Sequence, residues 1–288
     1  MKVLVFGDKG QLGYELKQSL PPGWEIIGCD LPEVNVSDES QVRRVVEDVQ
    51  PGVIINAAAY TAVDQAEDER DAAFAVNAAA VGGVAVAARS RGARLIHVST
   101  DFIFDGKKGS PYLPHDAPNP LGVYGASKAE GEQVLLREYP EKSCIVRTAW
   151  LYSAHGRNFV KTMLSLFENR DALGVVCDQI GSPTWAFHLA SFIWQLAIAP
   201  DFHTGVLHFT DAGVASWYDF AVAIEEESRK WRGKATTINP IYTDEYPTKA
   251  LRPPYSVLEK RFPAGLGPFP FVHWREALRR MLEKHYSK

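Results

Sequence analysis

Short apolar runs alternate with stretches of helical spacing through the first half of the chain, and the runs are continuous rather than every-other-residue. Continuous runs belong to strands buried on both faces, as in a parallel sheet with helices on either side. The pattern predicts strands over Lys2–Phe6, Glu25–Cys29, Val53–Asn56, Arg94–Val98 and Ser143–Arg147. Between them it predicts helices over Gln11–Leu20, Glu39–Val49, an Ala-rich segment across Asp71–Arg91, and Ala126–Arg137. Ser37 or Asp38 offers an oxygen to cap the second helix, and Pro51-Gly52 ends it. The expected class is α/β, a Rossmann-like doubly wound parallel sheet.

Beyond Arg147 the alternation loosens. Helices are predicted over Phe159–Asn169, Ala186–Ala199, Trp217–Trp231 and Trp274–Tyr286, separated by loops such as Asp178–Thr184, Tyr246-Pro247 and Arg252-Pro253-Pro254. There is no internal repeat, low-complexity tract or linker. We therefore divide the chain into a nucleotide-binding layer, residues 1–150, and a smaller C-terminal lobe, residues 151–288, mainly substrate-binding and with room for segments that return to the sheet. Ligands of open α/β sheets sit at the carboxyl edge of the strands, where such a lobe closes.

The 288 residues suffice for a large core. The net charge of −4 supplies no basic field for nucleic acid or an anionic membrane, so a phosphate-bearing ligand has to be held locally. Cys29, Cys144 and Cys177 are far apart and odd in number, which favours buried thiols in a reducing cytoplasm over disulfides or zinc. Met1-Lys2 leads directly into the first strand, leaving no room for a signal peptide. Two uncharged stretches invite comparison with membrane spans. Ala72–Ala88 holds Asn77, and the helical part of Gln179–Pro200 begins near Trp185 and falls short of the about 20 apolar residues a span needs; both read as core helices.

Gly7, Gly10 and Gly13 lie between a predicted strand and a predicted helix, where backbone N–H groups can approach a pyrophosphate at the helix N-terminus. The spacing is Gly-x-x-Gly-x-x-Gly rather than the commoner Gly-x-Gly-x-x-Gly; a plain strand-to-helix turn is the alternative. Asp30 ends the second strand, where a carboxylate can accept from adenosine ribose hydroxyls and repels a 2′-phosphate. Lys9 can offset that repulsion, so NADH and NADPH are both expected as cofactors. Asn56–Thr61 leaves the third strand with small side chains, suited to a backbone passing a cofactor or to tight packing. Ser99-Thr100-Asp101 ends the fourth, as a carbonyl-binding hydroxyl or as a turn cap. Tyr124 and Lys128 share one face of a helix, where an ammonium can stabilise a phenolate and a phenol of ordinary pKa about 10 can exchange protons with a reacting oxygen. Downstream of a nucleotide-binding turn, this pair indicates hydride transfer.

With these residues in hand, the chain resembles the extended short-chain dehydrogenase/reductases and, among them, the dTDP-4-dehydrorhamnose reductase family. The resemblance is carried by Phe6–Leu16, Asn56–Asp64, Ser99–Asp101 with Phe104, Val123–Lys128, Arg147–Tyr152, Asp178–Thr184 and Arg252-Pro253. It implies NAD(P)H-dependent reduction of the 4-keto group of dTDP-4-dehydro-L-rhamnose, with Tyr124 giving the proton. Lys128 would lower the phenol's pKa and hold the nicotinamide ribose, and Thr100 would bond the carbonyl. It also implies cofactor contacts from Gly10, Gln11 and Leu12 at the pyrophosphate, Asp30 at the ribose, Asn35 and Val36 at the adenine, and Ala59, Tyr60 and Thr61 at the middle of the molecule. Thr100, Asp101 and Trp150 fall at positions that touch the sugar nucleotide.

One departure accompanies the resemblance. Some family members bind magnesium at a dimer interface through three carboxylates, whereas a gapless reading finds Glu15 with Phe187 and Arg275 at the other two positions. No metal is expected, and the chain is expected to be a monomer or a metal-independent homodimer. Two other readings stand beside this one: another nucleotide-sugar reductase or epimerase, which would share the catalytic residues, and a non-catalytic regulatory subunit such as that of methionine adenosyltransferase, against which the intact Thr100, Tyr124 and Lys128 argue.

Overall fold

The five apolar runs become parallel strands β1 (Lys2–Phe6), β2 (Glu25–Cys29), β3 (Val53–Asn56), β4 (Arg94–Thr100) and β5 (Ser143–Thr148). The computed structural model describes residues 1–287 apart from 264, 265, 267 and 268. β4 runs on through Ser99 and Thr100 because its ladder to β5 continues, Ser99 opposite Arg147 and Thr100 opposite Thr148. A sixth strand, Gly205–His208, pairs in parallel with β5 at the sheet edge. It escaped the sequence reading because a run this short carries no periodicity to separate it from a loop. The sheet order is Gly205–His208, β5, β4, β3, β1, β2. The strand order therefore reverses between β1 and β3, which opens the crevice where doubly wound sheets bind ligands.

Helix α1 (Gln11–Gln18) and the later helix Ala186–Ile198 cover one face of the sheet around Val3, Val5, Ile96 and Val146. Helix α2 (Glu39–Val49) and the Ala-rich helix cover the other, around Leu4, Phe6, Ile54 and Leu95. Asp38 is the cap of α2, accepting from the N–H groups of Ser40 and Gln41. Ala186–Ile198 is apolar because it lies in the main core, although it comes from the second half of the chain. The remaining chain builds the second cluster, where helices Phe159–Asn169, Trp217–Arg232 and Trp274–Tyr286 pack around Phe167, Phe220 and Leu278. Beside them strand Ala172–Val176 pairs in parallel with Thr237–Ile241.

Three sequence expectations are corrected. α1 stops at Gln18 rather than Leu20, since Pro21-Pro22 follows and the residue before a proline disfavours helix. The helix bearing Tyr124 starts at Val123, not Ala126, because the carboxylate of Glu67 receives the Val123 N–H at 2.8 Å. The Ala-rich helix starts at Arg70 and is interrupted by a π-helical turn over Ala75–Ala79. By length and composition alone its 70–91 span would cross a membrane, but half of that apolar window is buried inside the protein. The three cysteines are unpaired; Cys29 and Cys144 are buried as expected, while Cys177 is partly exposed.

Candidate active site

β1 ends in a turn that only glycine permits at its first position. Gly7 has φ +79°, and a Cβ there would come within 2.6 Å of the Ala58 nitrogen, so the turn and the Ala57–Ala58 backbone leaving β3 lie in contact. Gly10 is the N-cap of α1 and Gln11 its first residue, which points the free N–H groups of the helix into the crevice. Gly13 lies inside α1 against the backbone of Asp8, where a Cβ would clash. It does not line the cleft, so its place in the glycine pattern reflects helix–turn packing.

A cleft of about 940 Å³ opens above this turn, lined by Gly7, Gly10, Gln11 and Leu12. Asp30, Asn35 and Val36 line one end, Ala59, Tyr60 and Thr61 the middle, and Thr100, Asp101, Tyr124, Lys128 and Trp150 the other end. The Asp30 carboxylate accepts from the N–H of Lys9 at 3.1 Å and of Leu31 at 2.8 Å. The Lys9 ammonium reaches the Leu31 carbonyl at 2.7 Å and Glu33 at 2.6 Å, so a second carboxylate engages it.

At the reactive end, β4 delivers Thr100 and Asp101 while the helix starting at Val123 delivers Tyr124 and Lys128. The Thr100 hydroxyl accepts from the Phe102 N–H at 3.2 Å and donates to Asp101 at 3.1 Å, so the turn-capping role is real. The same hydroxyl also faces the phenol of Tyr124. Burial pushes the Tyr124 phenol up to about 12; the Thr100 hydroxyl opposes that rise and the Asp101 charge adds to it. Burial likewise pushes the Asp101 carboxyl up to about 6, against the hydroxyls of Ser256 and Thr100. The Lys128 ammonium is directed at the Val98 carbonyl, 2.7 Å away, and at His97, 3.4 Å away, rather than at the phenol. Burial lowers its pKa to about 8, partly offset by Glu132 one turn further along the helix. The expected lowering of the phenol is therefore overridden by burial in this arrangement.

Glu132 is itself held by Arg147 of β5 through bonds of 2.7 and 3.0 Å, a buried ion pair beneath the site. Trp150 adopts a left-handed backbone, φ +46°, unusual for a bulky residue and characteristic of functional sites. Its ring fits only because residue 181 is glycine, where a Cβ would approach the indole to 2.5 Å.

Sequence reasoning missed several contributors. Asn77, fully buried in the π-helical turn, accepts from the Tyr60 N–H at 2.9 Å and donates to the Tyr60 carbonyl at 3.1 Å and the Ser127 hydroxyl at 3.0 Å. It thereby ties the cofactor-side loop to the helix of Tyr124 and Lys128. A lone asparagine in an otherwise apolar helix was the available signal. Arg157, Phe159, Trp217 and Arg252 also line the cleft; the first three come from a loop and helices of the second half with no local pattern to mark them, while Arg252 belongs to the Arg252-Pro253 pair of the resemblance, to which no role was given.

Of the three positions compared with magnesium-binding carboxylates, only Glu15 carries a carboxylate, and that carboxylate is already engaged. Glu15 is fully buried, accepting from Ser153 at 2.6 Å and from Lys284 at 3.2 Å. The Lys284 ammonium lies 5.4 Å from the Phe187 ring centre, whereas Arg275 pairs with Glu226 and Glu227. The chain itself thus supplies the cation facing Glu15.

A glycine turn at the reversal point of a doubly wound sheet, with a tyrosine and a lysine one helical turn apart across the crevice, defines an extended short-chain dehydrogenase/reductase. The family model described as RmlD substrate binding domain matches residues 1–287, and the chain belongs to that family. Relatives include SpsK, a spore coat polysaccharide biosynthesis protein of Bacillus subtilis, 43% identical over 99% of this chain and 98% of its own. The dTDP-4-dehydrorhamnose reductase of Escherichia coli K12 is 38% identical over 100% of this chain and 99% of its own. Among solved structures, the dTDP-4-dehydrorhamnose reductase of Bacillus anthracis in complex with NADP superposes with a TM-score of 0.92 at 38% identity, covering 98% of this chain and 99% of that one.

Proposed function

We propose that the protein reduces the 4-keto group of dTDP-4-dehydro-L-rhamnose to give dTDP-L-rhamnose, using NADH or NADPH. The observation that carries this reading is the convergence of Thr100, Asp101, Tyr124, Lys128 and Trp150 in the same cleft that the glycine turn and Asp30 line. The residues present fit a dinucleotide: Gly7 and Gly10 line the cleft without side chains, α1 offers free N–H groups, and Asp30 lines the same cleft where a ribose would lie. When bound, the reduced nicotinamide supplies a hydride to the carbonyl carbon.

The chain's own residues do the rest. With its pKa near 12, Tyr124 keeps its proton throughout the neutral range and serves as general acid toward the carbonyl oxygen. Thr100, beside the phenol, turns its one hydroxyl proton from Asp101 to that oxygen when substrate binds. Lys128 places a positive charge one turn along the same helix, where it favours the phenolate left behind, and the Arg147–Glu132 pair holds the helix in place. Asp101 accepts from a sugar hydroxyl, and Trp150 packs against the sugar nucleotide. Residues 151–288 act as a mainly substrate-binding lobe that also returns a strand and a helix to the sheet. We assign the protein to the cytoplasm, which suits three unpaired cysteines.

The test is the fall in NAD(P)H absorbance when the keto sugar nucleotide is added to the purified protein. Tyr124→Phe, which keeps the ring and removes the hydroxyl, is expected to lower kcat by about 10²–10⁴-fold with cofactor affinity retained. Absence of turnover by the wild-type protein would overturn the assignment, and normal turnover by Tyr124→Phe would overturn the proton donor.

A further inference from the structure

The loop Ser153–Asn158 belongs by sequence to the second half of the chain, yet it is stitched onto the glycine turn. His155 stacks on Tyr14 with ring centres 4.5 Å apart and planes within 8°, and its ring nitrogen meets the Lys9 carbonyl at 3.1 Å. The Asn158 amide donates to Gln11 at 2.9 Å and back to the Ser153 carbonyl at 2.7 Å. Gly156 has φ +73°, and a Cβ there would come within 3.0 Å of the Gln11 side chain. The loop is therefore held directly against the first turn of α1, where the pyrophosphate-binding N–H groups point.

Arg157 follows Gly156 and lines the same cleft as Gly10 and Gln11. Three cationic side chains line that cleft, and two are committed. Lys128 is bonded to the Val98 carbonyl, and Arg252 makes a two-pronged bridge to Asp64 at 3.1 and 2.8 Å. Arg157 is exposed and makes no hydrogen bond or ion pair among the described residues. A guanidinium presents several N–H donors in a rigid fork matched to phosphate oxygens. In a chain of net charge −4, an uncommitted one at a pyrophosphate-binding turn is a local source of the required positive charge.

We propose that Arg157 binds the pyrophosphate of the dinucleotide cofactor, gripping it from the loop side while the N-terminus of α1 holds it from below. This rests on reading the cleft as a nicotinamide dinucleotide site. It gives the Ser153–Asn158 loop a purpose that its network of contacts to α1 otherwise lacks. The nucleotide sugar carries a diphosphate too, and the same chemistry would serve it, so the test has to separate the two.

Full-length wild-type protein, Arg157→Ala and Arg157→Lys are titrated with NADH and NADPH by nicotinamide fluorescence, and with dTDP by calorimetry. Arg157→Ala is expected to raise the Kd of both reduced cofactors by about ten- to hundredfold and to flatten the dependence of that Kd on salt, with the dTDP affinity and melting temperature unchanged. Arg157→Lys is expected to recover part of the loss. Unchanged cofactor affinity in Arg157→Ala overturns the inference, as does a loss confined to dTDP, which assigns the guanidinium to the substrate's diphosphate. Failure of the wild-type protein to bind either cofactor overturns the dinucleotide reading itself.

Discussion

The indoles of Trp150 and Trp217 lie face to face, ring centres 3.5 Å apart and planes within 5° of parallel. Both line the cleft, one from the segment after β5 and the other from the start of helix Trp217–Arg232. An indole in such a wall can pack against a sugar or base and donate one hydrogen bond through its N–H. We expect Trp150→Phe to raise KM for the sugar nucleotide by up to about tenfold and leave NAD(P)H affinity intact. Equal loss of both affinities with a lower melting temperature would make Trp150 a packing residue between the two parts of the chain.

Cofactor preference turns on three side chains at the end of the glycine turn. Asp30 disfavours a 2′-phosphate, and Glu33 engages the Lys9 ammonium that would otherwise receive it. Dual use of NADH and NADPH is expected. Asp30→Ala should weaken NADH more than NADPH, and Glu33→Gln should shift the ratio of kcat/KM toward NADPH by a few-fold, as befits an exposed pair. A wild-type protein that accepts NADPH alone by a wide margin would show that Lys9 outweighs both carboxylates.

The pH profile follows from the two shifted groups beside Tyr124. Asp101, with a pKa near 6, is a carboxylate above that pH and loses its charge, becoming a weaker acceptor, as pH falls through it. Lys128, near 8, is charged below that pH and loses its charge as pH rises. A bell-shaped kcat/KM with limbs near these values is expected, and Asp101→Asn should remove the acid limb. An acid limb that persists in Asp101→Asn would assign it to another group.

Glu15 and Lys284 form the last prediction. A hard cation such as Mg²⁺ takes oxygen ligands, and the Glu15 carboxylate is bonded to the Ser153 hydroxyl and the Lys284 ammonium. Magnesium is expected neither to bind tightly nor to set the oligomeric state, leaving a monomer or a dimer through other surfaces. Light scattering with excess Mg²⁺ and then EDTA checks this; dissociation only on chelation would contradict it. Lys284→Met should cost about 1–3 kcal/mol in thermal or denaturant unfolding, because it strands a buried carboxylate.

The five strands of the first half, most helix boundaries and the positions of Gly7, Asp30, Thr100, Tyr124 and Lys128 were legible in the chain because each depends on local pattern. Apolar runs specify buried strands, a glycine pattern specifies a tight turn, and a spacing of four specifies one helix face. Tertiary structure decided what those residues do to one another. Burial, which depends on the whole molecule, set the Tyr124 phenol near 12 and turned the Lys128 ammonium toward β4. Asn77 stands out in its apolar helix, but its engagement of Tyr60 and Ser127 has no local signature. Nor does the partnership of Trp150 with Gly181, of Arg252 with Asp64, or of Asn158 with Gln11. These pairs are far apart along the chain, and only the closing of the second half over the sheet brings them within reach.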